Sequence, residues 1–198
     1  MKEFVVNKSL NLIKKKYNYT DVEYEKITYG LEVLYLGISK ILVIYLVSFL
    51  FGCIKETLIF SIFIAPLRSF SYGIHAKKSW HCYISSLIAF ILFPYLFVKF
   101  SIPLILKILI CIFTIISMIL FAPADTHKRP IINKKMREKL KIKALAVSLI
   151  YIGIVFVYKN EFVTNIILLA MIVQSIVINP ITYKLFKLPY NNYKEYLK

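Results

Sequence analysis

Residues 101–122, SIPLILKILICIFTIISMILFA, carry a single charged side chain, Lys107, in a run long enough to cross a bilayer. A spanning helix needs about 20 mostly apolar residues, and in lipid it must satisfy its own backbone N–H and C=O groups. Such a run leaves few structural choices, and the chain repeats it. Spans are expected at 31–53, 56–74, 82–98, 101–122, 144–158 and 162–180. Composition agrees: 59% of the 198 residues are hydrophobic and the mean hydropathy is +0.70, too apolar for an ordinary soluble domain. The expected fold class is all-α, a polytopic bundle of about six transmembrane or partly re-entrant helices forming one membrane domain over 1–198. The second and fifth spans are the weakest. In the second, the unbroken apolar part is TLIFSIFIAPL, Pro66 interrupts it and Arg68 follows. That pattern predicts a broken or partly re-entrant span, or one whose end is buried in protein.

Charge orients the bundle. Of 26 Lys and Arg residues, 21 fall in segments 1–30, 65–82, 124–143 and 180–198, which an even span count places on one side. The opposite turns hold only Lys55, Lys99 and Lys159, while Lys40 and Lys107 fall within spans. The positive-inside rule then puts both termini and the stretch 65–82 in the cytoplasm. The net charge of +16 suits anionic lipid headgroups and acidic peptides. No nucleic-acid motif accompanies it, so nucleic acid is not expected as a partner.

Residues 1–30 read as a cytoplasmic or interfacial segment, and 181–198 as a cytoplasmic tail. Val6, Leu10, Ile13 and Tyr17 recur at helical spacing among Lys8, Lys14, Lys15 and Lys16, the pattern of an amphipathic helix lying on a membrane. No cleavable leader is evident there, so insertion is expected to rely on the internal spans.

Cys53, Cys82 and Cys111 show no metal-ligand spacing, and an odd, scattered set argues against a disulfide framework. Cys53 and Cys111 lie in or beside apolar runs and read as small packing residues. With only three His and few carboxylates, neither a metal nor another cofactor is expected.

Cys82 has different neighbours. The stretch LRSFSYGIHAKKSWHCYISS, residues 67–86, gathers Arg68, Gly73, His75, His81 and Cys82 between two apolar runs. One reading is a basic turn with a core thiol; the other is a cysteine nucleophile beside the imidazole that takes its proton. His81 adjoins Cys82, but successive helical residues point in different directions. His75 lies seven residues earlier, about 10 Å away on one straight helix, so a dyad requires the chain to fold back between them.

The pattern Arg68, Gly73, His75, Ala76, Cys82 resembles the AgrB family, membrane endopeptidases of Gram-positive peptide quorum sensing. That family reads Arg, three residues, Gly-Gly, one residue, His-Ala, five residues, Cys; here the run is R-SFS-YG-I-HA-KKSWH-C, with Tyr72 in place of the first Gly. A side chain at that position puts the shape of the turn in question. A second block, FAPADTHKRPI at 121–131, is also similar to the family.

The resemblance implies an enzyme, a cysteine endopeptidase of the bacterial cell membrane. It would cleave the acidic C-terminal tail from a small amphipathic AgrD-like propeptide through a Cys thioester and promote thiolactone or lactone closure. It implies Cys82 as nucleophile and His75 as base on the cytoplasmic side, with Arg68 and Gly73 in support, and it is compatible with a homodimer. Asp125 is a candidate orienting or substrate-binding group, or else a helix cap after Pro123. Lys77, Lys78, Lys128, Arg129, Lys134, Lys135 and Arg137 form the basic surface expected to meet the acidic tail. His81 and His127 read as interfacial polar residues. The competing readings are a non-catalytic transporter or anionic-lipid binder, which has no use for a thiol at 82, and a thiol-dependent acyl carrier.

Overall fold

The computed structural model describes residues 2–14, 20–74, 79–126 and 130–196. Their regular structure is helical, apart from isolated β-bridges, one of which joins Tyr72 and Ala124. The chain separates into two compact units, 1–50 and 51–198.

In the first unit, α1 (Lys2–Lys14) packs on α2 (Asp21–Leu50). Val6 and Leu10, one turn apart, are buried, whereas Lys8 is exposed, as the expected amphipathic pattern requires. Tyr17, Lys15 and Lys16 lie outside the described residues. The first long helix begins ten residues before the expected span, and the reason is local. The Thr20 amide donates to a Glu23 carboxylate oxygen at 3.0 Å, and the Thr20 hydroxyl accepts from the Glu23 amide at 3.4 Å. This reciprocal cap satisfies amide groups that the helix start leaves unpaired.

The second unit holds α3 (Ile54–Ser71), α4 (Ser79–Leu87), a π-helical turn (Ile88–Leu92), α5 (Phe93–Phe97), α6 (Leu104–Phe121), α7 (Lys134–Val157), α8 (Glu161–Ile178), α9 (Pro180–Leu185) and a 3-10 turn (Asn192–Tyr196). Among the described residues, five helical stretches are long and apolar enough to cross a membrane: Val22–Leu50, Trp80–Phe97, Leu104–Phe121, Lys134–Val157 and Glu161–Ile178. The protein is thus an all-α polytopic membrane protein.

The weak second span is α3, an unbroken helix whose C-terminal end, at Ile64, Leu67 and Ser71, is buried in protein, as one of the expected alternatives had it. Its helix runs unbroken through Pro66, and Lys55, Glu56 and Arg68 are what set it apart in composition. Proline cannot donate to the preceding turn, but membrane helices tolerate it where a neighbour supplies donors. Near it, though not at the Ile62 carbonyl that Pro66 leaves unpaired, Tyr151 of α7 donates to the Phe63 carbonyl at 2.9 Å and meets the Phe63 ring edge-on at 5.4 Å. The fifth span is longer than the expected 144–158 because its helix starts at Lys134, capped by the Asn133 carboxamide accepting from Met136 N at 3.2 Å.

α8 is the centre of this unit, packed against α3, α5, α6 and α7. Thr164 through Met171 are buried without interruption, so the helix is enclosed all round. Its neighbours bury stripes instead: Ala144, Ser148, Tyr151 and Val155 on α7, and Ile110, Cys111, Thr114, Ser117 and Met118 on α6. Many of these contact residues are small, which lets backbones approach where lipid supplies no hydrophobic drive for helix association. Their hydroxyls bond back into their own helices: Ser71 to Leu67, Thr114 to Ile110, Ser148 to Ala144 and Ser175 to Met171. Cys53 and Cys111 are buried, as packing residues should be. Large apolar side chains such as Leu104, Ile105, Leu120, Leu149 and Ile150 face outward.

Candidate functional site

The C-terminal ends of α3 and α8 meet the segment that follows α6. After Ser71 the backbone leaves the helix through Tyr72 (φ 57°, ψ −130°) and Gly73 (φ 116°). The Ser71 carbonyl accepts from Ala124 N at 2.9 Å, and Gly73 N donates to the Ala124 carbonyl at 2.9 Å. Ile74 N then donates to the Val177 carbonyl of α8 at 3.3 Å. The two sequence blocks, 67–86 and 121–131, therefore meet through backbone hydrogen bonds.

Gly73 is required for two independent reasons. Its φ lies where side chains are strained, and a Cβ would sit 2.6 Å from Val177 Cγ1 and 2.8 Å from Arg68 Nη1. Arg68, half-buried in the last turn of α3, donates from Nη2 to the Ile74 carbonyl at 2.5 Å. Tyr72, in place of the first Gly, adopts a backbone conformation suited to glycine despite its side chain, at the cost of local strain.

Cys82 lies in the first turn of α4, half-buried and outside any disulfide. Its sulfur and the Arg68 guanidinium are within electrostatic reach of each other. α3 ends at Ser71, and the described part of α4 runs from Ser79. His75, Lys77 and Lys78 lie outside the described residues, as do His127, Lys128 and Arg129. His81 is exposed and stacks on Trp80, ring centroids 3.7 Å apart.

Asp125 does not cap the next helix in the chain, α7, whose cap is Asn133. Instead Asp125 is buried at 1% exposure and organises the C-terminal segment. One carboxylate oxygen accepts from Tyr193 N at 2.9 Å and Ile131 N at 3.4 Å, and lies 3.7 Å from Arg137 Nη1. Its carbonyl accepts from the Tyr183 hydroxyl at 3.0 Å and from Asn192 Nδ2 at 3.4 Å. Tyr183 also donates to the Ala124 carbonyl at 3.1 Å. Burial pushes the Tyr183 phenol well above its usual range, against the pull of Arg68, so it remains a donor. Within the expected basic surface, Lys134 and Lys135 are exposed in the first turn of α7. Arg137 differs: it turns inward to Asp125 and lies over the Tyr193 ring at 3.6 Å.

Several residues that build this region carry no motif. Gln174 donates from Nε2 to Ser71 Oγ at 2.6 Å and to the Tyr72 carbonyl at 2.7 Å. The one signal for it in the sequence is an amide within the apolar run IILLAMIVQSIVI, since polar residues inside spans usually bond across helices. Tyr183, Asn192 and Tyr193 have no comparable signal.

The family described as accessory gene regulator B matches residues 6–178. An AgrB-like protein of Listeria innocua is 35% identical over 173 residues, covering 87% of this chain and 85% of its own. An AgrB-like protein of Clostridium acetobutylicum is 36% identical over 179 residues, 88% and 84% of the two chains. The accessory gene regulator protein B of Staphylococcus carnosus is 36% identical over 150 residues, 76% and 78%. No solved structure matches the chain. With a match across most of its length and relatives of this similarity, the chain belongs to the accessory gene regulator B family, which implies a role in quorum sensing.

Proposed function

We propose that the protein is a membrane cysteine endopeptidase that removes the acidic C-terminal tail of a small amphipathic AgrD-like propeptide and promotes its cyclisation. One observation carries this reading. The Arg68–Ile74 turn is bonded to the second family block at Ala124, with the Arg68 guanidinium in electrostatic reach of the Cys82 sulfur. An electropositive neighbour is what a reactive cysteine generally requires.

In the proposed reaction His75 accepts the Cys82 thiol proton. The thiolate attacks the carbonyl before the tail, the C–N bond breaks, and the leaving amine takes a proton from the imidazolium. The product is an acyl-enzyme thioester. An internal Cys or Ser of the peptide displaces Cys82, returning the thiol and closing the ring. Amide-to-thioester conversion is uphill, so removal of the tail or ring draws the reaction forward, and excluding water protects the intermediate. Among the described residues, the backbone N–H groups of Gly73 and Ile74 are engaged by Ala124 and Val177, and Arg68 is a candidate for meeting the developing oxyanion.

The charge distribution supports an orientation with both termini and this site on the cytoplasmic side of a bacterial cell membrane. There the exposed Lys134 and Lys135 would attract the acidic tail and anionic lipid. The decisive experiment is co-expression with tail-tagged propeptides encoded nearby, followed by mass analysis of the tail and ring. Cleavage by the unsubstituted protein and none by Cys82→Ala, inserted at equal level, is expected. Unchanged cleavage in Cys82→Ala would remove the proteolytic reading and favour a non-catalytic membrane role.

A further inference from the structure

We infer that Gln174 is a positioning residue for the candidate thiol site, fixing the peptide plane between Tyr72 and Gly73; the inference rests on the reading of Cys82 and His75 as nucleophile and base.

That plane carries two hydrogen-bonding groups, the Tyr72 carbonyl on one edge and the Gly73 N–H on the other. Gln174 Nε2 holds the first at 2.7 Å, and the Ala124 carbonyl holds the second at 2.9 Å. Gln174 is 1% exposed and its amide also donates to the buried Ser71 hydroxyl at 2.6 Å, so both of its hydrogens are engaged. The plane needs holding because Tyr72 sits at φ 57° and ψ −130°, a conformation open to glycine and disfavoured for tyrosine.

Loss of the Gln174 donor leaves a partly buried carbonyl without this partner and lets the strain relax through rotation of the plane. Rotation breaks the bond from Gly73 to Ala124 and displaces Ile74. The Ile74 carbonyl anchors Arg68, and its amide is anchored by Val177. Residue 75 follows directly in the chain. Gln174 thus acts on the site through the turn, from the enclosed helix α8, and touches neither substrate nor sulfur.

The argument predicts a specific rescue. Glycine at 72 adopts the same conformation without strain, so it should make the clamp less necessary. The full-length protein in membrane vesicles is assayed as Gln174→Met, Tyr72→Gly and the double variant, with a tail-tagged propeptide as substrate. Gln174→Met, near in shape but without donors, should lower kcat about tenfold with KM within about twofold. Adding Tyr72→Gly should restore kcat to within about threefold of Tyr72→Gly alone. An unchanged kcat, a loss confined to KM, or a loss that glycine does not restore overturns the inference. If Gln174→Met does not insert, Gln174→Asn, which keeps an amide but is too short to span both acceptors, is read by the same criteria.

Failure of the proteolytic reading is distinguishable. If the unsubstituted protein leaves every propeptide intact, that reading fails, and the rate of Cys82 alkylation by N-ethylmaleimide reports the positioning instead. A severalfold change in Gln174→Met that Tyr72→Gly reverses supports it; equal rates in all variants overturn it.

Discussion

α8 and the helical rod from Trp80 to Phe97 are each eighteen-residue apolar stretches, yet 61% of the first is buried and only 11% of the second. Both serve the same region of the protein. α8 supplies Gln174 and the Val177 carbonyl that hold the Tyr72–Ile74 turn. The rod carries Cys82 near its start and leans on the core through few groups, such as the edge-on Phe60–Phe90 pair at 5.2 Å and the buried Pro94. Phe90 belongs to the π-helical turn Ile88–Leu92 within this rod. The difference teaches a division of labour: the framework of the site is built into the most enclosed helix, while the proposed nucleophile rides on a thinly packed one. Changes to the first should be read in stability and alignment together, and changes to the second mainly in chemistry.

The sharpest separation is expected at Cys82. Cys82→Ala should leave no detectable propeptide cleavage while shifting stability by less than about 0.5 kcal/mol in a detergent melt, because a half-buried group on a lightly packed helix contributes little. A large fall in the melting temperature would break the comparison. Gly73→Ala should register on both scales. The clash with Val177 and Arg68, added to the positive φ, is expected to cost about 2–4 kcal/mol and to lower cleavage about a hundredfold. Ile167→Ala in α8, fully buried, should cost about 2–4 kcal/mol by leaving a cavity, seen in the same melt.

Asp125→Asn weakens the hold on Arg137 and the Tyr193 amide. It should cost about 1–3 kcal/mol, less than for a fully buried pair because Arg137 is 19% exposed, and should open the C-terminal segment to limited proteolysis before the bundle melts. At the bottom of the scale, Ile84→Ala on the exposed face of α4 is expected to stay within about 0.5 kcal/mol of the parent. A cost there equal to that of Ile167→Ala would mean that a further partner covers the rod.

Much of this architecture was legible before any coordinates. The apolar runs located the helices, and the spacing of Val6 and Leu10 located the buried face of α1. Boundaries were less legible where a polar cap extends a helix beyond its apolar part, as Thr20 with Glu23 and Asn133 do. Of the candidate site, Arg68, Gly73, Asp125 and Cys82 were identifiable from pattern, but their partners were not. Arg137 read as one more surface charge, whereas the tertiary structure sets its guanidinium beside the Asp125 carboxylate.

The sequence by itself determined that this chain enters a membrane as helices, since any run of about 20 apolar residues in lipid must satisfy its backbone internally. It also determined that a thiol, an imidazole and a guanidinium lie close together in the chain. Only the tertiary structure decided that α3 survives Pro66, that Tyr72 is held in a glycine conformation, and that Gln174 does the holding from 102 residues away. The reason is range. Helical periodicity and caps are settled among residues a few positions apart, whereas a buried carbonyl or carboxylate takes whichever donor the packed helices bring to it.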